Sequence, residues 1–181
     1  MDRRRLIRNL AVQVLYEIDS SEHVPAKVLS SYANMELTDD NARVLAYLAL
    51  CAYLTAADNH VDPTDREFRL LGEDYQMLRR LVIGVMEGLQ ILDGLIAQYA
   101  PEWPPDQIAV VDRNVLRLAI YELLYQKLPI KVVINEAIEA ARAFGADSSP
   151  RFINGVLGAV AEHYDEILTD LGSQTLTEPS V

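Results

Sequence analysis

The sequence predicts an all-α fold, and three features support this prediction. In each long segment the apolar residues recur at intervals of three and four, which is the period of an amphipathic helix. The 181-residue chain contains no alternation of polar and apolar residues long enough for a useful β-strand. Short clusters rich in Pro, Gly, Asp and Ser separate the periodic segments, and such clusters typically end helices.

The helical pattern is clear at the start of the chain, where Leu6, Leu10, Val14 and Ile18 fall on one face. The predicted helices cover about residues 3–19, 25–35, 37–58, 63–72, 73–99, 112–127, 132–145 and 150–168. After these helices, residues 169–181 have lost the helical period and are predicted to form a disordered tail. We therefore expect one helical domain over residues 1–168.

The long helix predicted over residues 73–99 contains three glycines, Gly84, Gly88 and Gly94. Each glycine costs up to about 1 kcal/mol relative to alanine in a helix interior. Gly84 and Gly88 are one turn apart, which would let a second helix approach closely. They would equally suit a bend, and the sequence leaves both interpretations open.

Charge and composition limit the possible functions. The net charge is −11 and the sequence pI is 4.6, which disfavours nonspecific binding to nucleic acid phosphates. Four of the sixteen basic residues nevertheless lie within the first eight positions. No apolar run reaches the roughly 18 residues of a membrane helix, and the single Cys51 cannot form an intrachain disulfide. We therefore expect a cytoplasmic protein without a membrane contact.

No pattern of catalytic or metal-binding residues is present. His23, His60 and His163 are far apart in the sequence, and the alternating Asp and His residues of 58–62 fall in a predicted turn. Cys51 lies on the apolar face of a predicted helix, which is typical of a core residue. A glycine-rich phosphate-binding motif is also missing from the sequence. The sequence predicts no enzyme, no metal site and no cofactor.

The arginine cluster at the chain start has two explanations. Arg4, Arg5 and Arg8 lie within about one helical turn and would form a positive patch. A solvated helix end is the ordinary explanation. However, positive charge at a helix N-terminus opposes the helix dipole, so a bound anion such as RNA phosphate is the alternative. Tyr16, further along the same helix, could stack on an unpaired base or could be a half-buried core residue.

Two asparagines interrupt otherwise regular helices near the end of the chain. Asn135 and Asn154 each follow an isoleucine, and Asn154 precedes Gly155. Asparagine is unfavourable in helix interiors because its amide competes for backbone hydrogen bonds. We expect both amides to be buried and hydrogen-bonded where two helices meet, and therefore to specify the fold rather than bind a ligand.

Several motifs resemble those of the NusB family of bacterial transcription antitermination factors. They are RRRLIRNLAVQVLY at 3–16, VDRNVLRLAIYELL at 111–124, INEAIEAARAFG at 134–145 and RFINGVL at 151–157. The resemblance implies two packed three-helix bundles, with the first helix central to RNA contact. It also implies binding of single-stranded boxA RNA from ribosomal RNA leader transcripts, together with the ribosomal protein NusE, within the antitermination complex of RNA polymerase.

The resemblance also suggests site residues. Asp112 matches an acidic position of the NusE-facing surface. Asn135, Glu136, Asn154 and Gly155 match the family signature. The residues that would contact RNA are Arg3, Arg4, Arg5, Arg8, Gln13, Tyr16, Arg151 and Phe152.

The chain departs from the family pattern in one segment. Residues 36–71 form a long insertion with an extra predicted helix, whose apolar face would be buried on the body or in a homodimer. This insertion and the acidity support an alternative function, a protein-interaction or dimerisation module with weak or lost RNA binding. Ribosomal RNA cytosine methyltransferases carry a similar domain, but this chain lacks their cofactor-binding domain and catalytic cysteine.

Overall fold

The computed structural model describes residues 3–21 and 72–174 and is entirely helical in these ranges apart from the turns that join the helices. The predicted helices over 25–35 and 37–58, the whole insertion at 36–71, and all but the last residue of the predicted helix over 63–72 lie outside the described residues. The helices are α1 Arg3–Ser21, α2 Gly72–Glu87, α3 Leu89–Tyr99, α4 Val110–Leu124, α5 Ile130–Phe144, α6 Ser149–Glu162 and α7 Tyr164–Gln174. The prediction of an all-α fold is confirmed.

Helix α4 is the centre of the molecule. Every residue from Asn114 to Leu124 is buried, so α4 is covered on all sides rather than on one face. It packs against α1 and α2 on one side and against α5 and α6 on the other, and α3 also contacts it. Because α4, α5 and α6 all contact one another, they form a three-helix bundle that shares α4 with the α1–α2 pair.

Helix α1 forms as its apolar spacing predicts. Leu10, Val14 and Leu15 are almost completely buried against the rest of the core. Burying an aliphatic side chain of this size contributes about 1.5–3 kcal/mol. The apolar face of α1 therefore holds the helix on α4, and its polar residues near the N-terminus are presented at one edge of α5.

The glycines of the predicted long helix have two different roles. The helix ends at Glu87 and resumes at Leu89, with a bend of 71° between the two parts. Gly88 lies at this break. Gly84, one turn earlier, packs under Tyr121 of α4, and a Cβ atom at Gly84 would lie 2.1 Å from the Tyr121 ring. Thus Gly88 provides the bend and Gly84 provides the close approach.

The end of the chain differs from the prediction. The predicted helix over 150–168 is broken at His163, and α7 continues to Gln174. Residues 169–174 are helical, so the prediction that disorder begins at residue 169 was wrong. Residues 175–181 lie outside the described residues. Ile167 is buried and Leu171 packs partly against the core, which explains why this helix extends further.

The two asparagines are not buried. Asn135 and Asn154 are both exposed to solvent, so the prediction that their amides join helices inside the fold was wrong. In α5 the buried residues are Val133, Ala137, Ala140 and Ala141. Asn135 lies two positions from both Val133 and Ala137, and two residues correspond to about 200° around a helix. Its side chain therefore points away from the core.

None of the described helices is long and apolar enough to cross a membrane alone. Only α2 and α3 taken together reach the required length and composition, and the 71° bend separates them.

Candidate nucleic-acid interface

The arginines at the start of α1 lie in different environments. Arg3 begins the helix. Arg4 is exposed, Arg5 is partly buried, and Arg8 is only 7% exposed. The positive patch predicted from the sequence is therefore divided into a surface part, Arg4 and Arg5, and an internal part, Arg8.

Arg5 is held by a carboxylate from another helix. Its Nε donates a hydrogen bond of 3.0 Å to Oε2 of Glu136, and its Nη2 donates one of 2.7 Å to Oε1. Glu139 lies one turn further along α5, with its Oε2 3.8 Å from Arg5 Nη1. The two-pronged pairing fixes the orientation of the guanidinium at the surface. It also joins the start of α1 to α5.

Arg8 forms a buried ion pair with Glu122 of α4. Its Nε lies 2.8 Å and 3.0 Å from the two carboxylate oxygens, and its Nη1 lies 3.9 Å from Glu136 Oε2. Burial raises the pKa of Glu122, the charge and hydrogen bonds of Arg8 oppose this, and nearby Glu136 adds to the rise. The net direction is upward. Since Arg8 is enclosed and paired, an RNA phosphate could reach it only if this pair were broken.

Tyr16 is the exposed aromatic residue of α1, with 44% of its surface accessible. It follows Arg5 by eleven residues, which is close to three helical turns, so both side chains point in the same direction about 16 Å apart. Gln13 lies one turn before Tyr16 and is partly buried. Within the described residues, its buried Oε1 atom accepts no hydrogen bond. This face of α1 therefore presents a cation and an aromatic ring, and Gln13 lies beside them with its amide oxygen buried.

Asp112 does not lie on an exposed surface. It is 8% exposed, and its Oδ2 accepts a hydrogen bond of 2.8 Å from the hydroxyl of Ser149. The Ser149 hydroxyl in turn accepts a bond from the backbone N–H of Ala146. Burial raises the pKa of Asp112, against the opposing effect of the Ser149 bond. Asp112 thus anchors the turn between α5 and α6, and its contact with NusE stays a prediction.

The start of α6 carries an exposed cation beside an aromatic pair. Arg151 is exposed, and Phe152 packs partly against the core. Trp103, in the loop between α3 and α4, is 52% exposed and contacts Phe152 edge to face, with ring centres 6.4 Å apart. Trp103 was not among the site residues predicted from the sequence. Its position as the single tryptophan in a Pro-rich break was the available signal.

A polar network centred on Asp19 ties the end of α1 to α4. Asp19 Oδ2 accepts hydrogen bonds from Arg113, Asn114 and Arg117. Arg117 also binds both oxygens of Asp93 on α3. The three donors all belong to the DRNVLR motif, and the network explains why this motif is polar although it begins a buried helix.

An acidic groove runs between α3 and α7. It has a volume of about 620 Å³. Its walls contain the apolar Ile91 and Leu95, and the carboxylates of Glu166 and Asp170 lie on the α7 side. These negative charges would repel RNA phosphates, so the groove is distinct from a nucleic-acid surface.

In the part of the chain whose structure is described, no three His, Cys, Asp or Glu side chains are close enough to hold a metal ion together.

The sequence of this chain matches the model of the NusB family over residues 40–162. It is also similar over most of its length to transcription antitermination protein NusB of Roseiflexus sp. (strain RS-1). The two are 37% identical over 166 residues, which cover 90% of this chain and 94% of that protein. The chain belongs to the NusB family. NusB of Chloroflexus aggregans (strain MD-66 / DSM 9485) is 38% identical over 164 residues, 89% of this chain and 88% of that protein.

Solved NusB structures have the same fold. The structure of T. maritima NusB gives a TM-score of 0.62 at 28% identity and covers 93% of this chain and 92% of that one. A structure of NusB and NusE in complex with double-stranded RNA gives a TM-score of 0.61, covering 91% of this chain and 99% of that one. Its identity to this chain is 20%, so it supports the fold alone. The NusB arrangement of packed three-helix bundles is thus confirmed.

Within this NusB fold, five of the nine predicted site residues lie in two groups. Arg5, Gln13 and Tyr16 share one face of α1, whereas Arg151 and Phe152 lie at the start of α6 beside Trp103. Nothing in the sequence indicated that Glu122 and Glu136 hold Arg8 and Arg5. Glu136 was seen only as part of a family signature, because a pairing between residues 131 positions apart leaves no local pattern.

Proposed function

We propose that this chain is a transcription antitermination factor that binds single-stranded boxA RNA together with NusE, as part of the antitermination complex of RNA polymerase in the cytoplasm. The observation that carries this proposal is the similarity to NusB proteins over 90% of the chain. The proposed role is one of binding, without an enzymatic activity of its own.

The exposed face of α1 supplies the chemistry that this function needs. Arg4 and Arg5 place two guanidinium groups at the exposed helix start. On Arg5 a phosphate would replace Glu136, because guanidinium groups bind phosphate and carboxylate oxygens in the same planar geometry. Tyr16 offers a ring on which an unpaired base can stack, with Gln13 nearby as a hydrogen-bonding amide. Arg3, at the first position of α1, would extend the cationic end.

Arg8 has a different role in this proposal. Its buried pair with Glu122 joins α1 to α4, and the Arg5–Glu136 pair joins α1 to α5. Together the two pairs set the position of the arginine-bearing end relative to the bundle. We therefore infer that Arg8 positions the RNA-binding face and does not itself bind phosphate.

NusE is required in this proposal because the isolated chain is acidic. A net charge of −11 repels RNA at long range, and the local cationic patch is small. A basic partner would supply the missing positive charge. Asp112 contributes to this contact only indirectly, through the α5–α6 turn that it anchors.

Binding of fluorescent boxA RNA, with and without NusE and at two salt concentrations, tests the proposal. We expect NusE to tighten binding and salt to weaken it. Replacing Arg4 and Arg5 together with alanine should reduce the salt dependence by about 0.7 in log–log slope for each phosphate that the variant no longer neutralises. The Arg79→Ala/Arg80→Ala variant removes the same charge from exposed positions of α2 and is the matched control.

The alternative is a protein-interaction module with weak or lost RNA binding. The acidic groove between α3 and α7 favours this alternative, because it suits a basic protein segment better than a nucleic acid. No RNA binding in the presence or absence of NusE, combined with a homodimer in light scattering, would support it. RNA binding that depends on Arg4 and Arg5 would exclude it.

A further inference from the structure

The loop between α3 and α4 carries an exposed indole in a fixed position. The backbone N–H of Trp103 donates a hydrogen bond of 2.9 Å to the carbonyl of Ala100, at the end of α3. The N–H of Gln107 donates one of 2.8 Å to the carbonyl of Pro104. Two consecutive turns therefore shape the loop, and its three prolines restrict it further.

The same loop is tied to the body of the protein. Nη1 of Arg113 donates a hydrogen bond of 2.6 Å to the carbonyl of Pro105, and the other end of the Arg113 guanidinium binds Asp19 on α1. The loop is thus anchored to the helix that carries the proposed RNA-binding face. An exposed large aromatic residue that is already ordered loses little conformational entropy when it binds a ligand.

Phe152 supports the indole without covering it. The two rings meet at an interplanar angle of 72°, which is an edge-to-face contact. In this arrangement a third ring cannot be sandwiched between them. The exposed half of Trp103 instead leaves its surface open for one flat ring to stack. Phe152, which packs against the core, holds the indole in place.

The charges around the indole indicate what kind of ligand it takes. Arg151, at the start of α6 next to Phe152, is exposed and positive. Glu102 and Asp106, in the loop itself, are exposed and negative. A phosphate is therefore favoured only on the α6 side, where the helix N-terminus adds positive character. On the loop side the two carboxylates repel a phosphate but leave room for an uncharged flat group, such as a nucleobase.

We propose that Trp103 is a base-stacking residue of this chain, which binds one unpaired base of the RNA while Arg151 contacts the neighbouring phosphate. This inference rests on the proposed RNA-binding function and adds a second contact region at the α3–α4 loop and the start of α6. Stacking on an aromatic side chain is tolerant of base identity. The site therefore strengthens binding to single strands more than it selects a sequence.

Tryptophan fluorescence provides a direct test, because Trp103 is the only tryptophan in the chain. We expect unlabelled single-stranded boxA RNA to quench its emission saturably at low salt. The midpoint should match that of a labelled-RNA titration. An abasic strand of equal length has the phosphates but no bases, and it should leave the emission unchanged. Quenching by the abasic strand, or none by the RNA although the labelled RNA binds, would overturn the inference.

Variants extend the test. Trp103→Ala should weaken RNA binding roughly five- to hundredfold, in line with the loss of one stacked base. Trp103→Phe keeps a smaller ring and should retain part of the affinity. Tyr125→Ala is the matched control, since Tyr125 is a comparably exposed aromatic (46%) on another part of the surface, and it should change affinity by less than about twofold.

The outcomes separate this inference from the function on which it rests. If Trp103→Ala, folded by circular dichroism, binds RNA as tightly as the unchanged protein, Trp103 is not a base-stacking residue, but the proposed function stands. If the unchanged protein binds no RNA, even with NusE, both fail. If Trp103 emission responds to NusE and not to RNA, the indole belongs to a protein contact and the inference is wrong.

Discussion

Asp19 Oδ2 lies 2.8 Å from Nη1 of Arg117, and this contact joins the C-terminal end of α1 to the middle of α4. Arg113 and Asn114 donate to the same oxygen. Because Arg117 also binds Asp93, the network fixes α1, α3 and α4 relative to one another. The carboxylate at position 19 is the acceptor that all three α4 side chains share.

This arrangement predicts acid sensitivity. Burial alone would raise the pKa of Asp19, but the hydrogen bond from Arg113 and the charges of Arg117 and Arg113 hold it below its ordinary value of 3.8. A lowered carboxyl pKa stabilises the fold above the unfolded-state pKa, and this stabilisation is lost as pH falls through the lower folded-state pKa. Asp19→Asn should therefore cost about 1.5–3 kcal/mol of unfolding free energy at pH 7, and much less near pH 2.

Urea unfolding of the unchanged protein and of Asp19→Asn, at pH 7 and near pH 2, measures how much stability the substitution costs at each pH. Asp165→Asn is the control, because Asp165 is an exposed carboxylate in the first turn of α7. An equal loss for Asp19→Asn at both pH values would show that the charge of Asp19 is not what stabilises the network.

The Arg8–Glu122 pair predicts strongly non-additive effects. Arg8→Ala or Glu122→Ala leaves one buried charge without its main partner, and each should cost about 3–5 kcal/mol. The double variant Arg8→Met/Glu122→Leu removes both charges and keeps apolar volume, so its cost should be far below the sum of the single losses. Unfolding free energies of the three variants check this. Additive losses would mean that the pair is not coupled.

The sequence predicted helices well where one face is apolar. The face of α1 that contains Leu10 and Val14 was identified correctly, because a repeating interval is a local property. Pairings between distant segments were not predicted. Arg8 and Glu122 are 114 positions apart, so the sequence suggested a surface patch where the fold buries one of its members.

Two other features of the fold were not read correctly from the sequence, for different physical reasons. Gly84 and Gly88 could not be distinguished from sequence, since a close approach and a bend both require a missing side chain. Asn135 was predicted to be buried from its unfavourable helix propensity. The apolar period of α5 would have placed it outside, as the structure does, and this period was the better guide.

The backbone conformation of Lys127 predicts that replacing it with glycine stabilises the protein. It has a φ angle of 51°, in the left-handed region that costs L-residues roughly 1–2 kcal/mol. Glycine adopts this conformation without that cost, although it loses more entropy on folding. Lys127→Gly should raise the unfolding free energy by about 0.5–1 kcal/mol. Lys131→Gly, in the first turn of α5, should lower the unfolding free energy, and it is therefore the control. Destabilisation by Lys127→Gly would contradict the prediction.

The close packing at Gly84 predicts that adding a single methyl group there destabilises the protein. A Cβ atom there would lie 2.1 Å from both the Oη and Cζ atoms of Tyr121. The Tyr121 side chain cannot easily move aside, because it is buried, its ring stacks on Tyr125 at 5.4 Å, and its hydroxyl accepts a hydrogen bond from Gln126. Gly84→Ala should therefore destabilise the protein by about 1–3 kcal/mol through overpacking, despite the better helix propensity of alanine.

Gly94 in α3 offers the matched control for this substitution. Apart from its chain neighbours and the nearby backbone of its own helix, no atom lies within 4 Å of a Cβ placed there. Gly94→Ala should therefore stabilise the protein by up to about 1 kcal/mol. Thermal and urea unfolding of the Gly84→Ala and Gly94→Ala variants would show whether the first loses stability and the second gains it. Tyr121→Leu, introduced beside Gly84→Ala, should recover part of the stability, because the shorter side chain leaves room for the new methyl group. Equal effects at the two glycines would mean that the packing of α2 on α4 does not require glycine.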